Sequence, residues 1–249
     1  MITDRITALA HAASLLVVTD FDGTLAPLDP DPQAVVAHPG ALDALHTLAA
    51  QPATEVVVLS GRHLDGLRAV CLLRDPVVLV GSHGAEPSDG AVVLDDDSLA
   101  YLNHIEAELE TIAAAEPLAY VEVKPYQRVL HVAALAQQDP ARADELLTRA
   151  RQLDTGGRPV TPGSNIVEFS AVDVTKGDWV ARRKRGVDAT VFVGDDVTDE
   201  SVFPVLSGQD LGVKVGGGPT GADHTVADVD AVAAFFVSLA AARQQFFRG

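Results

Sequence analysis

The chain has 249 residues of which 47% are hydrophobic, enough for one large domain or two small ones with a full core. Its 35 acidic against 18 basic residues give a formal net charge of −17, which argues against nucleic acid or an anionic membrane surface as a partner and is read as solubility in a high-salt or crowded cytoplasm. The single cysteine, Cys71, rules out an internal disulfide framework and any multi-cysteine metal site.

The apolar stretch 6–18 lacks a positive leader and a clean cleavage site, so a short helix followed by a first strand over 15–19 is expected. That strand runs into Asp20-Phe21-Asp22-Gly23-Thr24-Leu25. Two carboxylates two residues apart point the same way if the strand persists, and Gly23 then permits a sharp turn. A helix over 39–50, a strand over 55–59, a helix over 64–70 and a strand over 77–80 follow in a βαβαβ rhythm that predicts a parallel sheet with helices on both faces. Function then belongs at the carboxyl ends of the strands. Ser60-Gly61-Arg62 and Gly81-Ser82-His83-Gly84-Ala85-Glu86 are the loops that occupy those ends.

From about Asp97 the pattern changes to a helix over 98–115, strands over 120–124 and 128–134, a helix over 140–153 and strands near 159–160 and 166–169. Adjacent strands around Pro125-Tyr126-Gln127 predict an antiparallel hairpin. After Lys176 the parallel rhythm returns: a helix over 179–185, strands over 190–193 and 211–215, and a last helix over 229–241. The apolar run 231–242 falls short of the roughly 20 residues that span a bilayer. The expected fold is α/β, a doubly wound Rossmann-like parallel-sheet core over 1–97 and 173–249, with a smaller inserted α/β cap over 98–172.

Hydrolysis of a phosphate monoester through an aspartyl-phosphate needs a carboxylate nucleophile, an acid for the leaving oxygen, donors for the phosphoryl oxygens and a cation between the two anions. Asp20 is the candidate nucleophile and Asp22 the candidate acid and base. Ser60 and Lys176 are the candidate donors, and lysine scarcity adds weight to Lys176, because the chain's lysines are Lys124, Lys176, Lys184 and Lys214. Gly194-Asp195-Asp196-Val197-Thr198-Asp199-Glu200 ends another β-branched run. Its carboxylates, with Asp20 and the backbone carbonyl of Asp22, suit Mg²⁺; Asp195 is the first choice, with Asp196 and Asp199 as second ligand or outer support. Arg182-Arg183-Lys184-Arg185 is read as a solvated helix end rather than a nucleic-acid patch.

Asp20-Phe21-Asp22-Gly23-Thr24, Ser60-Gly61-Arg62, Lys176-Gly177 and the 194–200 cluster occur in the order of the four motifs of haloacid dehalogenase-like phosphatases, and the chain resembles that family. Within it the resemblance narrows to trehalose-6-phosphate phosphatases, on the 81–86 loop, Glu122-Val123-Lys124 followed by His131, Val167-Glu168 and Val213-Lys214-Val215-Gly216. The resemblance implies that Gly61, Arg62, His83, Gly84, Glu86, Glu122, Lys124, Arg128, His131 and Glu168 bind the substrate, in a crevice between cap and core. It implies a Mg²⁺-dependent enzyme that acts on a small sugar phosphate. A cytoplasmic protein is expected from the missing leader and bilayer span, and a monomer is the expected state, with association with a sugar-phosphate synthase left open. After His131 the chain has Val132-Ala133 where the family usually has tyrosine and arginine, and Phe169-Ser170-Ala171 follows Glu168 where arginine-proline is common. Two alternatives stay open: a phosphatase for another sugar or glycosyl-glycerate phosphate, and a non-catalytic regulatory subunit that binds a sugar phosphate.

Overall fold

The structure, a computed structural model, describes residues 2–90 and 93–248. In chain order the elements are α1 (Ile2–Ala10), β1 (Leu15–Thr19), α2 (Pro39–Ala49), β2 (Thr54–Leu59), α3 (Leu64–Val70), β3 (Val78–Gly81), β4 (Glu86–Pro87), α4 (Asp96–Ala113), β5 (Tyr120–Val123) and β6 (Gln127–His131). These are followed by α5 (Ala133–Gln138), α6 (Pro140–Arg151), β7 (Val160–Gly163), β8 (Ile166–Ser170), α7 (Lys176–Arg183), β9 (Ala189–Gly194), β10 (Leu211–Val215), β11 (His224–Val226) and α8 (Val229–Arg248). They form two compact units, Met1–Ala91 with Val174–Gly249, and Val92–Asp173.

The first unit is built on a seven-stranded sheet of order β11-β10-β9-β1-β2-β3-β4. All five residues of β1 are buried, as an apolar β-branched strand requires when both faces of its sheet are covered. Leu15 and Val17 pack with residues of α1, α2 and α8, whereas Leu16 and Val18 pack with Trp179 and Val180 of α7. That alternation is the doubly wound arrangement, with helices on either side of one sheet. β1 pairs in parallel with β2 and with β9, and Thr19 stands level with both Val58 and Val193. The loops that leave these three neighbouring strands therefore start side by side.

Two edge elements lay outside the sequence expectation. β4 turns back antiparallel on β3 through Gly81↔Glu86, and β11 extends the parallel sheet beside β10. Elements of two or three residues carry too little periodicity to be read from sequence. α7 begins at Lys176 rather than at 179, because Thr175 and Asp178 form a reciprocal capping box that nucleates the helix there.

The second unit is a four-stranded antiparallel sheet of order β5-β6-β8-β7. Leu130, Val167 and Phe169 on one of its faces pack against Tyr101, Ile105 and Leu109 of α4 and Leu146 and Leu147 of α6. The strand expected over 128–134 ends at His131, and Ala133-Ala134-Leu135-Ala136-Gln137-Gln138 is helical. Those residues include no β-branched side chain and are good helix formers, so the apolar run was ambiguous only by length. Among the described residues no helix is long and apolar enough to cross a membrane.

Candidate active site

Asp20 follows β1 directly, and its amide donates to the Val193 carbonyl of β9 at 2.8 Å, which fixes it against the neighbouring strand end. The residue is 5% exposed. The ammonium of Lys176, equally buried at the first residue of α7, lies 2.9 Å from Asp20 Oδ1 and 2.7 Å from Asp199 Oδ1. Asp20, Asp195 and Asp199 each bring a carboxylate oxygen within 4.8 Å of the others. Three anionic oxygens at that spacing, with no nitrogen or sulfur donor, suit a hard divalent cation.

The charges in this cluster act strongly on one another because Asp20, Lys176 and Asp199 are buried and Asp195 is partly so. Burial raises the Asp20 carboxyl well above the usual aspartate range; Lys176 pulls it down, and Asp199 and Asp195 push it further up. Burial also raises Asp195, and Asp199 adds to the effect. Burial works against the charge on Lys176, yet Asp20 and Asp199 together outweigh it and hold the ammonium protonated above the ordinary lysine value. The lysine is thus a permanent cation facing carboxylates that would otherwise repel each other.

Three contacts set the Asp195 side chain and its loop. Thr24 Oγ1 donates to Asp195 Oδ1 at 3.2 Å, and Lys214 reaches from β10 to the Asp195 carbonyl. Gly23, at φ 77°, passes so close that a Cβ there would lie 2.2 Å from Asp195 Oδ2. A Gly23→Ala variant must displace that carboxylate as well as strain the backbone. Since a misplacement of about 1 Å can cost ~10²-fold in rate, kcat/KM should fall at least that far, together with Mg²⁺ affinity by calorimetry. Wild-type values for both would contradict this geometry.

The shared face expected for Asp20 and Asp22 does not form. The strand stops at Thr19, and the amides of Leu25 and Ala26 turn back to the Phe21 carbonyl at 2.8 and 3.0 Å. The Asp22 carboxylate instead receives the guanidinium fork of Arg62, Nε to Oδ2 at 2.6 Å and Nη2 to Oδ1 at 2.6 Å. Arg62 also donates to the Pro32 carbonyl at 2.7 Å. Ser60 is buried, and its hydroxyl accepts the Arg62 amide at 3.1 Å, so the Ser60-Gly61-Arg62 loop meets the first motif through Arg62. Asp196 is exposed and its carboxylate accepts its neighbour's amide, from Val197 at 2.6 Å; Asp199, not Asp196, joins the acidic cluster.

The 81–86 loop packs beside these groups. His83 has φ 55° and ψ 22°, an uncommon conformation for a residue with a side chain, and its amide donates to the Ser60 carbonyl at 3.0 Å. A Cβ on Gly61 would lie 2.6 Å from His83 Cε1, so the glycine makes room for the imidazole. Gly84 gives the same close approach to Trp179. Glu86 serves the fold: its carboxylate accepts the Ser82 hydroxyl at 2.6 Å and the Leu64 amide at 3.1 Å, tying the loop to the start of α3.

In the second unit a polar chain runs over one sheet face. His131 Nε2 lies 2.9 Å from Glu122 Oε2, Glu122 lies 4.0 Å from the Lys124 ammonium, and Lys124 donates to Glu168 at 3.0 Å. Arg128 is not part of it. Its guanidinium is buried against Glu106 at 2.6 Å and the carbonyls of Lys124 and Gln127, both at 2.8 Å, because register places it on the opposite face from Glu122 and Glu168.

A family model described as Trehalose-phosphatase matches residues 18–232, from the strand that presents Asp20 into the last helix. The chain belongs to the trehalose-phosphatase family. Within the family it is 32% identical over 238 residues to the trehalose-6-phosphate phosphatase of Escherichia coli, covering 91% of this chain and 86% of that protein. It is also 32% identical over 228 residues to the bifunctional trehalose-6-phosphate synthase/phosphatase of Thermoproteus tenax, of which it spans 31%. The C-terminal domain of C. albicans trehalose-6-phosphate phosphatase, at 20% identity, shares the fold with a TM-score of 0.76 over 95% of each chain. Membership makes this chain a phosphatase, a hydrolase of phosphoric monoesters, with a doubly wound core and an inserted α/β unit.

Proposed function

We propose that the protein hydrolyses trehalose 6-phosphate to trehalose and phosphate in the cytoplasm, with Mg²⁺ as cofactor. The observation that carries the reading is the buried Lys176–Asp20–Asp199 arrangement with Asp195 at adjacent strand ends, in a chain of the trehalose-phosphatase family. An Asp20 carboxylate oxygen attacks phosphorus, the bond from phosphorus to the sugar oxygen breaks, and Asp22 gives that oxygen its proton. Water then attacks the aspartyl-phosphate, Asp22 takes a proton from it, and release of phosphate restores Asp20. Lys176, the Ser60 hydroxyl and the loop amides hold the phosphoryl oxygens. Arg62 grips both oxygens of Asp22, so it has to release at least one before Asp22 can serve the leaving group.

Asp20, Asp195 and Asp199, with the Asp22 carbonyl, would hold the Mg²⁺. When bound it supplies positive charge that offsets repulsion between the nucleophile and the phosphoryl group. Its ligands must be deprotonated, and Asp20 and Asp195 both hold their protons to higher pH than a free aspartate. Falling pH therefore protonates ligands early, and Mg²⁺ affinity measured by titration calorimetry should weaken between neutral pH and about pH 5, where ordinary aspartates with pKa near ~3.9 remain ionised. An affinity flat over that interval would contradict the buried-cluster electrostatics.

Val92–Asp173 acts as the specificity cap, with Glu122, Lys124, His131 and Glu168 binding the sugar. The test of the function is phosphate release from trehalose 6-phosphate beside a panel of sugar and glycosyl-glycerate phosphates, with and without Mg²⁺. Strong metal-dependent preference for trehalose 6-phosphate is expected. Preference for another ester would move the specificity and keep the chemistry, and binding without turnover across the panel would replace the enzyme reading with that of a sugar-phosphate sensor.

A further inference from the structure

The polar chain in the second unit ends on an aromatic ring that none of the steps above uses. Tyr120 is 60% exposed, yet its ring is held in a fixed plane, stacked on the His131 imidazole at 4.6 Å between centroids and 2° between planes. The two residues stand directly opposite each other in the antiparallel register. His131 is itself fixed by Glu122 at 2.9 Å, and Lys124 and Glu168 continue the row. Strand alternation puts Tyr120, Glu122, His131 and Glu168 on the sheet face opposite Leu130, Val167 and Phe169, which pack on α4 and α6.

A pyranose presents an apolar C–H face and a rim of hydroxyls, so its recognition needs a flat apolar surface beside hydrogen-bonding groups. Here the carboxylates and the lysine supply the hydrogen bonds, and an oriented aromatic ring adjoins them. The positions just after His131 offer no such surface: Val132 is fully buried, and Ala133 is a small residue at the start of α5. We propose that Tyr120, backed by His131, is the stacking platform for a sugar ring of the substrate and a determinant of its specificity. The inference rests on the reading of the substrate as a sugar phosphate.

A cross-strand aromatic pair also steadies a hairpin, and a purely structural Tyr120 would change melting temperature without changing substrate preference. Wild type, Tyr120→Ala and Tyr120→Phe are compared in kcat/KM for trehalose 6-phosphate and for p-nitrophenyl phosphate, which carries no sugar. The ratio of the two should fall about tenfold in Tyr120→Ala, chiefly through KM, and be restored in Tyr120→Phe, which keeps the ring. Independently, trehalose added to wild-type protein should shift the Tyr120 ring resonances in NMR spectra, assigned by their loss in Tyr120→Phe. An unchanged ratio in Tyr120→Ala, or ring resonances that ignore trehalose, overturns the proposal. Wild type that cleaves p-nitrophenyl phosphate but no sugar phosphate would instead overturn the proposed substrate, and the titration still decides the role of Tyr120.

Discussion

Asp20→Asn should reduce phosphate release by about 10⁵-fold or more, the scale seen when a covalent nucleophile is removed from an active site. The change keeps the shape of the side chain and removes its charge. Asp20 is buried and hydrogen-bonded through its own amide to Val193, and that backbone contact survives the substitution. Lys176 keeps Asp199 as its counter-ion at 2.7 Å, so the ammonium is not stranded. The variant should therefore fold with a near wild-type melting temperature and still bind substrate, and no phosphorylated protein should be trapped when it is mixed with substrate and acid-quenched. Turnover close to wild type would remove Asp20 from the nucleophile's place.

Lys176→Met is the opposite case, in which removing one group injures the fold as well as the reaction. The side chain is 2% exposed and its ammonium sits between two buried carboxylates. Without it Asp20 and Asp199 face each other uncompensated, and breaking a buried ion pair from one side costs about 3–5 kcal/mol. The loss should be largest in metal-free protein, because Mg²⁺ among the same carboxylates replaces part of the missing charge. The difference in melting temperature with and without Mg²⁺ should therefore be wider in Lys176→Met than in wild type, while kcat falls by about 10³-fold for want of a phosphoryl-oxygen donor. A variant as stable as wild type without metal would mean that the three groups do not form the charge cluster described.

How much of this the sequence disclosed depends on the range of the interaction involved. β1, α3 and β10 fall where the residue pattern places them, because each is a short apolar or amphipathic run bounded by a turn or a cap. α8 continues to Arg248, beyond the expected 241, because Ala242-Arg243-Gln244-Gln245 are good helix formers and carry it on to Phe246 and Phe247, which lie beside Arg243. In the site, Asp20, Lys176, Asp195 and Asp199 come together as strand-end carboxylates around a scarce lysine. The Arg62 fork on Asp22 and the turn of Arg128 toward Glu106 were not legible. Both depend on which side chain lies across a loop or behind a sheet, and neither leaves a local pattern. Tyr120 was legible in principle, two residues before Glu122 on the same strand face, but its orientation comes from the partner strand.

The position of β1 in the sheet has a consequence for how the chain is made. One neighbour, β2, is complete by Leu59, while the other, β9, begins only at Ala189. Synthesis from the amino end leaves the β9-facing flank of Leu15-Leu16-Val17-Val18-Thr19 unpaired while residues 20–188 are made, about two thirds of the 249. The Val92–Asp173 unit meanwhile has all four of its strands in hand before β9 emerges. Such a layout favours early consolidation of the inserted unit and late closure of the nucleophile's own strand. The Asp20 amide, which donates to Val193, then gains protection from solvent exchange only after β9 has emerged, so the nucleophile is fixed in place after the inserted unit already has its full sheet.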